Sequence, residues 1–171
     1  MRRALHAVHI EAAPSRVWDL LIRFEAYPRW NRWIALSGEP RLGADLSYAA
    51  NLGVIRGRER RLILRGKVSS LDPHRVLAWR AGVPGFRFEW FLTIAPQDGG
   101  TRLAHILDMH GLCAAPIGRR IEALWGRGAE GLLSDAKRRL EGGVRPRPVA
   151  RPKPKLPPFV PPPPRKKGRR R

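Results

Sequence analysis

The chain has 171 residues, 43% of them hydrophobic, with 34 basic residues against 14 acidic and a formal net charge of +20. That length holds one ordinary domain and an appendage, and the charge points to polyanions as partners without specifying a fold. A single cysteine, Cys113, rules out an internal disulfide or a Cys-based zinc site; no window approaches the roughly 20 apolar residues of a membrane helix, so a cytoplasmic setting is expected.

The opening "MRRALHAVHIEAAPSR" begins with arginines, as a secretory leader does, but His and Glu interrupt its apolar run too early. "LHAVHIEAA" alternates as a strand, with Val8 and Ile10 on one face and His9 and Glu11 on the other. Pro14 suits the first position of a helix, and Val17, Leu20, Leu21 and Phe24 follow at helical spacing. Pro28 can start a second short helix, with Trp30 and Trp33 as an i, i+3 pair on one face. Gly38, Pro40 and Gly43 mark turns.

Regular structure resumes with "RRLILRGKVSSL", "VLAWRAG", "FRFEWFLTIA" and "TRLAHILDMHGL", separated by turn signals. Alternation places Leu62, Leu64, Gly66 and Val68 on one face with Leu77, Trp79 and Ala81. Phe86, Phe88, Trp90, Leu92 and Ile94 share it, as do Leu103, His105, Leu107 and Met109. Arg61, Arg65, Lys67, Arg80, Arg87 and Arg102 fall on the opposite, basic face. "PIGRRIEALWGRGAEGLLSDAKRRLEGG" then predicts a long helix whose inner face carries Ile117, Ile121, Leu124, Gly128 and Leu132. Gly126, Gly128 and Gly131 thin that helix, which suits either a pocket or a close approach. Strand, two short helices, antiparallel strands and one long helix make an α+β layout, with the helix covering the apolar face of the sheet.

Composition breaks after Glu141, the last acidic residue. Residues 142–171 hold ten of the 17 prolines and eleven of the 34 basic residues, a mixture that cannot build a core. The expected organisation is a folded domain over 1–141 and a disordered, partly polyproline II tail over 142–171.

The stretch "IEAAPSRVWDLLIRFEAYPRWN" resembles the opening of the SRPBCC, or START-like, superfamily, in particular its bacterial polyketide-cyclase/dehydrase-like branch. There a strand enters a Pro-started helix with Val-Trp and then an aromatic-Pro-x-Trp-Asn turn. "GEPRLGADL", "DPHRVLAWR", and "GGTRLAH" followed by "HGL" continue the likeness in order, over about residues 4–141. The resemblance implies a helix-grip fold, in which a curved antiparallel sheet wraps a long C-terminal helix around an apolar cavity. It also implies binding of lipids, polyketides, hormones or other hydrophobic molecules, and it implies no particular reaction. Leu107 departs from relatives that often carry an acidic or polar residue there, which weakens a case for polar cavity chemistry.

The expected ligand cavity has Leu64, Trp79, Phe88, Trp90, Leu92, Leu103, Leu107 and Met109 as its sheet wall, and Ile121 and Leu124 from the helix. Trp18, Trp30 and Trp33 close the core at one end, act as a lid that contacts ligand, or form a base-stacking platform; their helical spacing favours burial. His105 is the one histidine whose parity places it inside, as a buried neutral ring or as the proton carrier of a cyclase or dehydratase reaction. No carboxylate shares its strand face. Metal-ligand spacing is absent, no cofactor is expected, and Ser15, Ser134 and Cys113 sit in no nucleophile motif. In the tail, Arg165, Lys166, Lys167, Arg169, Arg170 and Arg171 are candidates for weak, non-specific contact with nucleic acid or an anionic membrane. "PPPPRK" also fits a PxxP-plus-base pattern for SH3-like partners. The favoured function is binding of a small hydrophobic molecule; the alternatives are a polyketide cyclase or dehydratase and a polyanion-binding adaptor.

Overall fold

The computed structural model describes residues 1–55, 58–111 and 114–142. Seven strands form: β1 (Arg2–Ile10), β2 (Ile34–Gly38), β3 (Asp45–Ile55), β4 (Arg58–Asp72), β5 (Val76–Val83), β6 (Phe86–Gln97) and β7 (Gly100–Gly111). They make one sheet in the order β1-β7-β6-β5-β4-β3-β2, every pair antiparallel. Strands β1 and β2 are the two edges, so the chain between them must cross one end of the sheet. It does so as α1 (Pro14–Leu21), a 3-10 turn (Phe24–Ala26) and α2 (Tyr27–Trp30). The last element, α3 (Ala114–Glu141), lies on β1 and β7, reaches β3, and touches α1 and α2. This is the helix-grip arrangement.

Local chemistry accounts for the short helices. Pro14 opens α1, which buries Val17, Trp18 and Leu21. The α2 turn stops at Asn31, whose backbone is extended (φ −139, ψ 150). The buried Asn31 Oδ1 accepts from the backbone N–H groups of Trp33 (3.0 Å) and Ile34 (2.8 Å), and its Nδ2 donates to the Tyr27 carbonyl at 3.1 Å. Trp30 and Trp33 therefore do not share a helix face: Trp33 lies beyond the break that Asn31 makes.

Two strands, β2 and β3, flank the turn signals Gly38, Pro40 and Gly43, in stretches where the sequence pattern predicts no strand. Residues 49–53 of β3 are Ala, Ala, Asn, Leu and Gly, and a bulge interrupts the register between Asn51 and Val54. Small side chains and a slipped register dilute the period of two, although the pairing with β4 is continuous from Asp45 to Asn51.

A second bulge lies between Val68 and Ser70 on β4, and a Cβ on Gly66 would collide with the carbonyl oxygen of Arg80. Both features bend the sheet around α3. The result is visible in the core: Tyr48 on β3 stacks on Trp90 of β6, centroids 4.7 Å apart. In a flat sheet those two strands would stand about 14 Å apart, at ~4.8 Å per strand.

Helix α3 buries Trp125, Ala129, Leu132, Leu133, Ala136 and Leu140. Leu124, expected on the inner face, is instead 45% exposed, and Trp125 takes the inward place. One residue is a 100° rotation on a helix, and two adjacent apolar residues leave the choice to the sheet. The C-terminus of α3 is tied to the β1–α1 junction. Lys137 donates to the His9 carbonyl at 2.7 Å, and Glu141 accepts from the Glu11 backbone N–H at 2.8 Å. That backbone N–H holds the Glu141 carboxyl below the usual glutamate range.

Candidate ligand-binding site

The concave face of the sheet carries a connected set of rings. Trp79 and Trp90 are directly opposed on β5 and β6, with centroids 6.1 Å apart and planes 15° apart. Phe88 lies 5.4 Å from Trp90, and Phe86 meets Phe88 edge-on at 4.5 Å. Tyr48 closes the set from the far side, 5.8 Å from Trp79. Burial pushes the Tyr48 phenol well above its ordinary range, so it stays protonated.

His105 sits beside these rings, cross-strand from His6 on β1 and from Leu92 on β6. Its side chain is fully buried. Trp125 of α3 meets it edge-on at 4.8 Å, Trp79 lies 6.1 Å away, and Trp125 also meets His6 at 5.5 Å. His6 in turn faces Glu130 at 3.3 Å. Burial, with a smaller contribution from His6, drives the His105 imidazole down to about 3, so it is neutral across the physiological range. Among the described residues neither of its nitrogens has a hydrogen-bond partner, and the same holds for the indole nitrogens of Trp79, Trp90 and Trp125. Each orphaned buried group costs on the order of 1–3 kcal/mol. Three donors and one imidazole are thus concentrated, unpaired, in an otherwise apolar interior.

Coverage of the concave face is uneven. Leu77, Leu92, Leu103, Leu107 and Met109 are fully shielded. Toward the β3–β4 side and the first half of α3, Ala50, Leu64, Phe88 and Ile121 are only half-buried, and Leu62 is 40% exposed. Among the described residues, rings fill the space behind Trp90 and His105, and the concavities between elements open at the surface.

The N-terminal tryptophans do not share one ring cluster. Trp18 is buried, 6.0 Å from His74 at the β4–β5 turn. Trp30 packs on Tyr27 at 4.9 Å and lines a surface cleft. Trp33 lies across α3 at Gly131, where no Cβ would fit against its indole, with Arg32 over its ring at 4.9 Å. Gly131 thus serves close packing; nothing stands within 4 Å of a Cβ on Gly128. Arg165, Lys166, Lys167, Arg169, Arg170 and Arg171 lie outside the described residues. Sequence reasoning missed Tyr48 and Trp125. The i, i+4 spacing of Ile121, Trp125 and Ala129 was the available signal for Trp125, and nothing beyond its ring singled out Tyr48.

On the convex face Arg65, Lys67, Arg80 and Arg87 rim a shallow groove of about 390 Å³. It is not purely basic: Asp45 pairs with Lys67 at 2.8 Å, Arg3 holds Asp108 through two bonds of 2.6 Å, and Glu89 faces Arg80. Among the described residues no group of three or more His, Cys, Asp or Glu side chains comes together, and no helix is long and apolar enough to cross a membrane.

A family model described as polyketide cyclase / dehydrase and lipid transport matches residues 1–142. No curated protein matches the chain. Among solved structures, a START superfamily protein from Mycobacterium smegmatis superposes with a TM-score of 0.64 at 20% identity, covering 83% of this chain and 99% of that one. Protein MLL2253 from Mesorhizobium loti superposes at 0.60 with 17% identity, covering 80% and 98%. TTHA0849 from Thermus thermophilus superposes at 0.61 with 18% identity, covering 84% and 99%. At these identities the likeness is one of fold.

Proposed function

The chain belongs to the polyketide cyclase/dehydrase and lipid transport family, within the START-like SRPBCC superfamily, and on that premise we propose that it binds a small hydrophobic molecule between the concave face of the sheet and α3. The observation that carries this reading is the incomplete cover of the apolar inner face, where Ala50, Leu64, Phe88 and Ile121 are only half-buried and Leu62 is 40% exposed. A lipid- or polyketide-like ligand supplies hydrocarbon to cover that face. Its apolar body rests against Leu64, Phe88 and Ile121, where the inner face is half-covered. Trp18 is buried in the core apart from that wall.

Binding rather than proton transfer is favoured by the state of His105. An imidazole at about 3 is a weak base at neutral pH, and no carboxylate is hydrogen-bonded to it. A cyclase or dehydratase would rely on the cavity to fold its substrate and not on this ring. Contact of the tail with nucleic acid or an anionic membrane rests on its charge alone. A cytoplasmic location rests on the single cysteine.

The test is displacement of a dansylated fatty acid, read by its emission and by tryptophan quenching, against native mass spectrometry of protein taken from the source cell. Saturable uptake is expected. Leu64→Ala trims the half-covered wall, so it should weaken uptake ~10-fold, the value of roughly 1.4 kcal/mol of lost apolar contact. Absence of uptake, with no co-purified small molecule, would remove the reading.

A further inference from the structure

A second concavity lies apart from the Trp79–Trp90 ring cluster, between α1–α2 and the C-terminal turns of α3. It measures about 840 Å³ and draws Arg16, Arg23 and Arg29 from the N-terminal segment and Arg138 and Arg139 from α3, against only Asp19 and Asp135. An adjoining hollow adds Arg32 and shares Arg29, Trp30 and Arg138. Of these arginines only Arg138 is paired among the described residues, with Asp135. Arg138 and Arg139 also complement the negative end of the α3 dipole. No such account covers Arg16, Arg23 and Arg29. The chain beyond Glu141 holds no acidic side chain that could neutralise them, and its eleven basic residues repel the cleft.

Like charges converging from three elements raise the energy of the fold unless something anionic sits among them. The cations are all guanidinium groups, whose planar forks match phosphate oxygens in pairs. Leu20, Trp30 and Leu140 supply apolar surface among them. Trp30 is half-buried and its indole nitrogen is buried without a partner. Gly142 is at the rim, and the residues that follow it in sequence carry eleven further positive charges.

We propose that this cleft binds single-stranded nucleic acid, the arginines holding successive phosphates and Trp30 offering a ring to a base. A flexible single strand can enter a recess, whereas a bilayer meets only its rim. The inference is independent of the ligand proposed between sheet and α3.

The experiment uses the full chain and a fluorescein-labelled oligothymidylate, followed by anisotropy across a salt series. Arg16→Gln, Arg23→Gln and Arg29→Gln are combined in one variant, and Arg65→Gln, Arg80→Gln and Arg87→Gln on the convex face form a charge-matched control. All six side chains are exposed, so both variants should fold, checked by circular dichroism. The cleft variant should lose at least ~10-fold in affinity at low salt, and its log–log salt slope should fall by about 2, at roughly 0.7 per phosphate lost. The control should keep most of its affinity. Equal losses in both variants would overturn the proposal, leaving net charge alone. It would be overturned equally by anionic vesicles or polyglutamate competing as well as unlabelled oligonucleotide, or by duplex binding as tightly as single strand.

Discussion

Replacing His105 by Phe tests the packing of the interior through its pH dependence. The imidazole is fully buried, has no partner at either nitrogen, and is held near 3. In the unfolded chain it returns to about 6.5. The unfolded state therefore binds the extra proton first as pH falls, so stability is full above about 6.5 and drains away toward about 3. At pH ~4.5, about two units below the unfolded value, the loss is about 3 kcal/mol. Phe has no proton to bind, so His105→Phe should lack that component. Urea denaturation of both proteins at pH ~7.5 and pH ~4.5 gives the difference, and subtracting one from the other cancels the carboxylates and the other histidines. At neutral pH the deletion of two unsatisfied nitrogens, worth on the order of 1–3 kcal/mol each, opposes about 1–3 kcal/mol for seating the larger phenyl, and that offset is the same at both pH values. Parallel losses in the two proteins would refute the reasoning: the ring would then protonate as easily folded as unfolded, which a buried, unpartnered imidazole cannot do.

Two further outcomes follow from local geometry. Asn31→Ala strips the acceptor from two backbone N–H groups at the end of α2 and should cost about 2–3 kcal/mol in urea denaturation, while Asn31→Asp, which keeps the oxygen, should recover most of it. Gly131→Ala sets a methyl group against the Trp33 indole; the helix gains about 1 kcal/mol from the substitution, overpacking costs about 1–3, and the net loss should vanish when Trp33 is also changed to Ala.

Five of the seven strands, the start of α1 at Pro14 and the long final helix are legible in residue order, because each depends on a local rule. Phe86, Phe88, Trp90, Leu92 and Ile94 alternate without a break, so the face they share follows from the period of a strand whatever it packs on. The same logic fails for β3, where alanines, Asn51 and a bulge blur the period and hide Tyr48. It fails again at Leu124 and Trp125, two apolar neighbours on a helix, where only the curvature of the opposing sheet selects the one that enters. The Trp30–Trp33 pairing dissolves because Asn31 spends its side chain on backbone groups that a continuing helix would have satisfied.

The two candidate sites divide along the same line. His105 could be placed inside from parity alone, but its isolation from every partner depends on Trp79 and Trp125, which arrive from another strand and from α3. Arg16 and Arg139 stand near opposite ends of the domain sequence, and no local pattern joins them. They meet because β1 and β2 occupy opposite edges of one sheet, forcing α1 and α2 across its end and onto the last turns of α3. Periodicity encodes which side of an element is apolar; which elements then share a cleft is a property of the curved sheet.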